Sequence, residues 1–273
     1  MSDRPVFIVS DRSGLTAETI SHTLLSQFPG IDFSQVAMPF VDTKEKVQEA
    51  VQRINQEAEH SGQRPLVFTT FVDENFTELL AAADAEVFDL FAPFINRIET
   101  ALGQQSSHQP GQSHGIANLV QYNQRINAVN YAMHCDDGLH PRDYAKANMI
   151  LLGASRSGKT PTCLYLALQF GFYAANYPLT EEDFIRDELP PSILDHRDRV
   201  FGLTIDPGRL HQIRSERRPG SRYASLKQCQ QDVNAARRMY ERYRIPHCDS
   251  TNYSVEELGS TIKHQMDLQP ALY

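Results

Sequence analysis

The sequence predicts an α/β protein in which an N-terminal parallel α/β domain is followed by a P-loop kinase-like α/β domain. Three observations carry that expectation. Short apolar runs alternate with longer stretches of helical period, as strand and helix layers require. Residues 103–115, GQQSSHQPGQSHG, contain no large apolar residue and divide the chain. Beyond them, GASRSGKT at 153–160 stands between an apolar run and an apolar helix. The expected division is residues 1–102, a linker over 103–117, and residues 118–273.

In chain order, residues 6–9 (VFIV) read as a strand, 10–14 as a turn, and 16–27 as a helix with apolar positions Ile20, Leu24 and Leu25. A helix over 44–59 and a buried strand over 65–72 (PLVFTTFV) continue the alternation. After the linker, Leu119, Tyr122, Ile126, Val129 and Met133 recur at helical spacing, which predicts a helix from residue 118 with these side chains on one face and a stop near Gly138. Residues 148–152 (NMILL) predict a buried strand, 161–170 a helix apolar nearly all round and so sandwiched in a core, and 173–177 a strand. VFGLTI at 200–205 reads as a strand ending at Asp206, and 207–218 as a turn into a helix. A helix over 226–243, a short strand at 245–248 and a helix opened by Ser254, with Glu257 completing a capping box, finish the series.

Composition narrows the function classes. The 273 residues are 41% hydrophobic, enough for a sizeable core, and carry a net charge of -8. An acidic chain lacks the broad basic surface that coating nucleic acid requires. No apolar run approaches the ~20 residues of a membrane span, and the opening residues reach charge too soon for a signal peptide. No nucleic-acid or membrane partner is expected, and the cytoplasm is the expected compartment. The four cysteines, at 135, 163, 229 and 248, form no Cys-x-x-Cys pair and read as reduced, buried thiols.

The motifs then point to phosphate chemistry. In Gly153, Ala154, Ser155, Arg156, Ser157, Gly158, Lys159 and Thr160, glycines let backbone amides approach phosphate oxygens. Lys159 can reach the outer phosphates, and Thr160 can ligate a bridging magnesium. Asp136 and Asp137, just before the phosphate strand, offer one carboxylate for magnesium and one to accept a hydroxyl proton, or else form a solvated helix end. His134 beside them reads as a structural residue. Asp206 at a strand end fits a magnesium-orienting aspartate and equally a turn starter. Arg209, Arg214, Arg217, Arg218 and Arg222 form a basic cluster in an acidic protein, with 214, 217 and 218 on one helical face, suited either to an anion or to solvent. The turn SDRSGLT at 10–16 resembles a small anion nest, though capping alone explains its residues.

Taken together, LLGASRSGKTPTCLYLALQFGFYAANYP at 151–178, HCDDG at 134–138, FGLTIDPGRLHQIRSERR at 201–218, SRYASLKQC at 221–229 and DSTNYSVEEL at 249–258 resemble the phosphoenolpyruvate synthase regulatory proteins. That family is related to the pyruvate, phosphate dikinase regulatory proteins. The resemblance implies a bifunctional enzyme that uses ADP to phosphorylate a threonine of phosphoenolpyruvate synthase. It also implies the reverse service, removal of that phosphate by inorganic phosphate with release of pyrophosphate. Dikinase-directed relatives carry Ser-Arg-Thr-Ser-Lys-Thr where this chain has SRSGKT at 155–160, a departure that favours the synthase as target. In this reading Lys159, Arg217 and Arg218 neutralise the transferring phosphoryl group, while Asp136 or Asp137 handles the threonine proton. Thr160 and Asp206 attend Mg2+, and residues 249–252 lie near the adenine. Residues 1–100 would be a docking platform and a homodimer the default assembly. An ATP-dependent small-metabolite kinase and a non-enzymatic ADP-sensing interaction protein are the alternatives.

Overall fold

The computed structural model describes residues 3–108 and 119–269. The chain divides into two compact units, residues 1–115 and 116–273. Residues 109–118 of the expected linker and helix start lie outside the described residues.

The first unit runs β1 (Arg4–Val9), α1 (Leu15–Leu25), β2 (Phe33–Met38), α2 (Lys44–Ser61), β3 (Leu66–Thr69), α3 (Glu74–Leu80), β4 (Glu86–Asp89) and α4 (Ala92–Leu102). Its four strands are all parallel in the order β2-β1-β3-β4. Alternation along β1 sends Phe7 and Val9 into a core with Val47, Ile54, Val67 and Leu80, and Val6 into a smaller core with Leu25 and Phe68. The edge strands β2 and β4 escape sequence reading because both are half-exposed and short of large apolar residues. Strand β3 stops four residues in, so residues 70–72 of the expected strand leave the sheet.

The second unit runs α5 (Leu119–His134), a 3-10 turn at Asp136–Gly138, β5 (Met149–Ala154), α6 (Lys159–Phe170) and β6 (Ala174–Leu179). It continues through α7 (Glu181–Arg186), α8 (Pro191–Leu194), β7 (Val200–Thr204), α9 (Pro207–Arg217), α10 (Leu226–Tyr243), β8 (His247–Asp249) and α11 (Val255–Gln265). The parallel order is β6-β5-β7-β8, so the chain passes from β5 first to one side and later to the other. The carboxyl end of β5 is therefore the switch point of an open sheet, where such folds place ligands.

Both faces of this sheet are covered. Ile150, Leu152 and Val200 meet Met239 and Tyr240 of α10 on one side. Met149, Leu151 and Phe201 meet Cys163 and Leu166 of α6 and Leu258 and Ile262 of α11 on the other. At Gly202 the sheet accepts the Tyr240 ring, since a Cβ there would lie 2.7 Å from Cζ of Tyr240. The Tyr240 hydroxyl donates to the carbonyls of Leu152 and Leu203 at 2.9 and 3.1 Å, which locks α10 across β5 and β7.

Two helix faces differ from expectation. On α5, Tyr122, Ile126 and Met133 are exposed, while Ala128, Tyr131, Ala132 and Cys135 are buried. The side chain of Leu119 lies outside the described residues. Helix α5 packs closely on α6, and close approach selects the small residues over the large ones. On α6, Leu168 is exposed, so that helix is buried on one side and not all round.

Candidate active site

Strand β5 runs into residues 155–158, and α6 starts directly behind them. Two left-handed residues make the turn, Arg156 at φ 76° and Gly158 at φ 91°. Glycine adopts this backbone freely, whereas Arg156 is held there by its surroundings. Gly153 is required for room: a Cβ would lie 2.6 Å from the Leu203 carbonyl oxygen and 2.9 Å from Ser157 Oγ.

The carbonyls around the loop are bonded inward. Lys159 Nζ donates to the carbonyls of Gly153 at 3.1 Å and Ala154 at 2.9 Å. Arg214 Nη2 donates to Ser155 O at 3.1 Å, and Ser250 Oγ to Ser157 O at 2.9 Å. Gly158 caps α6 without a side-chain acceptor, so the first-turn amides of α6 have no partner within the helix. That is the electrostatic setting of an anion site. Lys159 is buried, and burial pushes its ammonium down to about 8 against the opposing pull of Asp137, Cys163 and Asp136.

The adjacent aspartates have different surroundings. The Asn176 amide donates to the Cys135 carbonyl at 3.2 Å, tying the Asp136–Gly138 turn to β6. Asp136 Oδ1 accepts from Thr160 Oγ1 at 2.9 Å and from Asn176 Nδ2, and Asn176 Nδ2 also reaches Thr160 Oγ1 at 3.0 Å. Asp137 takes a left-handed backbone, φ 51° and ψ 33°, and lines the cleft beside Lys159 and Thr160. Asn176 was not singled out from sequence, although a lone amide in the apolar run FYAANYPL was the available signal. Ser157 Oγ and Asn176 Oδ1 are buried without a hydrogen-bond partner among the described residues, polar atoms left over beside the loop.

The cleft has a volume of about 430 Å³, within the roughly 300–1,000 Å³ of small-molecule sites. Arg209 and Arg217 of α9 and the half-exposed Tyr253 border it opposite the loop. Of residues 249–252, Ser250 and Thr251 reach it.

Other expected residues lie elsewhere. Arg214 does not share a free face with Arg217 and Arg218: it is 1% exposed and its Nη1 pairs with Asp232 Oδ2 at 2.7 Å. Its guanidinium also lies over the Tyr223 ring, whose hydroxyl donates to Ser155 Oγ at 2.9 Å. Arg214 is thus a brace for the loop. Arg218 stands past the end of α9 at φ -139°. Arg222 pairs with Glu181 at 3.1 Å in solvent. Asp206 caps α9 by accepting from the Arg209 amide at 2.9 Å, and the carboxylate that meets Thr160 is Asp136. Among the described residues no three His, Cys, Asp or Glu side chains gather as a metal cage.

His134 is satisfied structurally, bonded to Asp143 at 3.0 Å and stacked on His140. In the first unit, Ser10 Oγ accepts from Thr70 Oγ1 at 3.1 Å and from the Arg12 amide at 3.3 Å, so the 10–16 turn is tied to the segment after β3 and to its own backbone. No described helix is long and apolar enough to cross a membrane.

Arg214→Met is expected to cost about 3–5 kcal/mol in denaturant unfolding, because it leaves Asp232 charged and nearly buried with no cation. Arg217→Met, in solvent, should stay within about 0.5 kcal/mol of the parent.

The profile of the kinase/pyrophosphorylase family matches residues 6–262. A protein of Marinobacter nauticus, named "Putative phosphoenolpyruvate synthase regulatory protein", is 49% identical over 259 residues, 95% of this chain and 96% of its own. Proteins of the same name from Alcanivorax borkumensis, 49% identical over 95% of each chain, and Halorhodospira halophila, 50% identical over 96% of each, are similarly close.

Proposed function

The chain belongs to the kinase/pyrophosphorylase family, and from that premise we propose that it switches phosphoenolpyruvate synthase off and on by moving a phosphoryl group on and off a threonine. In one direction the threonine oxygen attacks the β-phosphorus of ADP, the bond to AMP breaks, and the threonine proton passes to a carboxylate. In the other, an oxygen of inorganic phosphate attacks the phosphothreonine phosphorus. The bond to threonine then breaks, the threonine oxygen takes a proton, and pyrophosphate leaves.

The observation that carries this reading is the meeting of Thr160, Asp136 and Asn176 at the mouth of a loop that also presents Lys159, with Asp137 beside them. Each has a chemical part. The diphosphate of ADP, or the nascent pyrophosphate, lies on the amides of residues 156–160, with Lys159 and Arg217 on its oxygens. A hydroxyl and a carboxylate 2.9 Å apart are oxygen donors of the kind magnesium takes, so Thr160 and Asp136 would hold the ion, which when bound neutralises phosphate oxygens. Asp137 accepts the threonine proton. Tyr253 offers a ring face for the adenine, beside the 249–252 segment. All of these residues belong to the second unit, which leaves the first free to recognise the target protein.

The test is incubation of the purified chain with ADP labelled at the β-phosphorus and phosphoenolpyruvate synthase. Label on a synthase threonine with release of AMP, and its return as pyrophosphate when phosphate is added, is the expected result. Label on a small molecule would make the chain a metabolite kinase. Binding of ADP with no transfer would make it a nucleotide-sensing partner.

A further inference from the structure

Beside the ADP cleft lies a second, smaller pocket of about 220 Å³ bounded by Ser155, Arg156, Arg217, Arg218 and Tyr223. Arg217 and the loop form the wall between the two, since Ser155, Arg156 and Arg217 border both. Three arginines border it, with no aspartate or glutamate among the bounding residues. Among the described residues none of the three has a carboxylate partner, in a chain whose net charge is -8. Asp232 and Glu181, which line the neighbouring pocket with Ser155 and Tyr223, pair with Arg214 and Arg222. Arg156 is moreover kept at φ 76°, a backbone that side chains other than glycine adopt only when their surroundings impose it. All three side chains are exposed and screened by water in the free protein, and an anion entering the pocket would meet three unpaired forks at once.

We propose that this pocket is a second anion subsite that takes a single tetrahedral phosphate, distinct from the diphosphate position over Lys159 and Thr160. Its size suits one phosphate and not a nucleotide, and arginine forks match pairs of phosphate oxygens. The inference rests on the proposed phosphate-dependent reaction, which needs an acceptor phosphate and a phosphothreonine at the same time. Because pyrophosphate forms over the loop, a phosphate in this pocket is one held beside the cleft before it enters to react. The same chemistry would fit the phosphothreonine, so both sources are tested.

Inorganic phosphate and O-phosphothreonine are titrated separately by calorimetry into the full chain, with and without saturating ADP. Phosphate is expected to bind the ADP-saturated protein, and Arg218→Ala, which alters the small pocket and not the cleft, should weaken it at least tenfold with ADP affinity within twofold. Arg218→Lys should restore part of the loss, since lysine keeps the charge without the fork. If O-phosphothreonine and not phosphate shows the tenfold loss, the pocket is the target's subsite. If Arg218→Ala leaves both within twofold, or neither binds once ADP is bound, the subsite does not exist. Failure of transfer to the synthase with the Arg218→Ala loss intact would overturn the proposed reaction and leave the pocket standing.

Discussion

Lys159→Met is expected to lower kcat/KM about 10³-fold in both directions, roughly 4 kcal/mol of transition-state stabilisation. The reason lies in where the ammonium is held. Its side chain is buried, and its hydrogen bonds to the Gly153 and Ala154 carbonyls hold the ammonium where β5 enters the loop, beside the cleft. Burial depresses it to about 8, so the charge is kept at a cost, and a phosphate oxygen is the partner that relieves the cost. The sign of the pH effect follows. Below about 8 Lys159 is charged and ready; as pH rises through 8 the free protein loses that proton, and ADP affinity falls. In Lys159→Met the affinity should be weak and flat over the same range. Calorimetric ADP titrations between pH 7 and 9.5 decide the matter: an unchanged slope in the variant would remove Lys159 from the site.

The sequence made the strand, loop and helix of residues 148–170 legible because a buried parallel strand and a glycine-bounded loop each leave a strong local mark. Helix α10 was legible to the residue, since seven of its side chains are buried along one stripe. Local marks fail where a partner decides. Ala128 and Ala132 face the core of α5 only because α6 comes close, and nothing in the spacing of Tyr122, Ile126 and Met133 reveals that those larger residues look outward. Long-range pairing likewise made Arg214 a brace, for its partner Asp232 lies 18 residues on, in another helix. A place at a strand end points to Asp206 as the aspartate beside Thr160, yet Asp136 holds that position. The Asn176 amide on Cys135 and the Thr251 hydroxyl on the Asp206 amide separate them, and neither bond has a sequence signature.

The loop also resists treatment as an isolated motif. Arg214, Ser250 and Tyr223 each fix one of its polar atoms from a different place in the chain, and Lys159 holds two carbonyls from within the motif. Such bracing sets the amides before any ligand arrives, which is the condition for electrostatic stabilisation without reorganisation.

Asp137→Asn is the most discriminating change at the carboxylate pair, with an expected loss of about 10²–10⁴ in kcat for threonine phosphorylation. Asparagine is the right replacement because Asp137 sits at φ 51°, where asparagine is tolerated and alanine is strained. Only the charge and the proton acceptor are lost. Because Asp136 holds the hydrogen bonds to Thr160 and Asn176, Asp137→Asn should leave Mg2+–ADP affinity within twofold. Asp136→Asn should do the opposite, weakening Mg2+ dependence first and transfer in consequence. If Asp137→Asn instead raises the Mg2+ requirement, the two aspartates exchange roles. If it keeps a rate near that of the parent in both directions, the proton leaves threonine by another route.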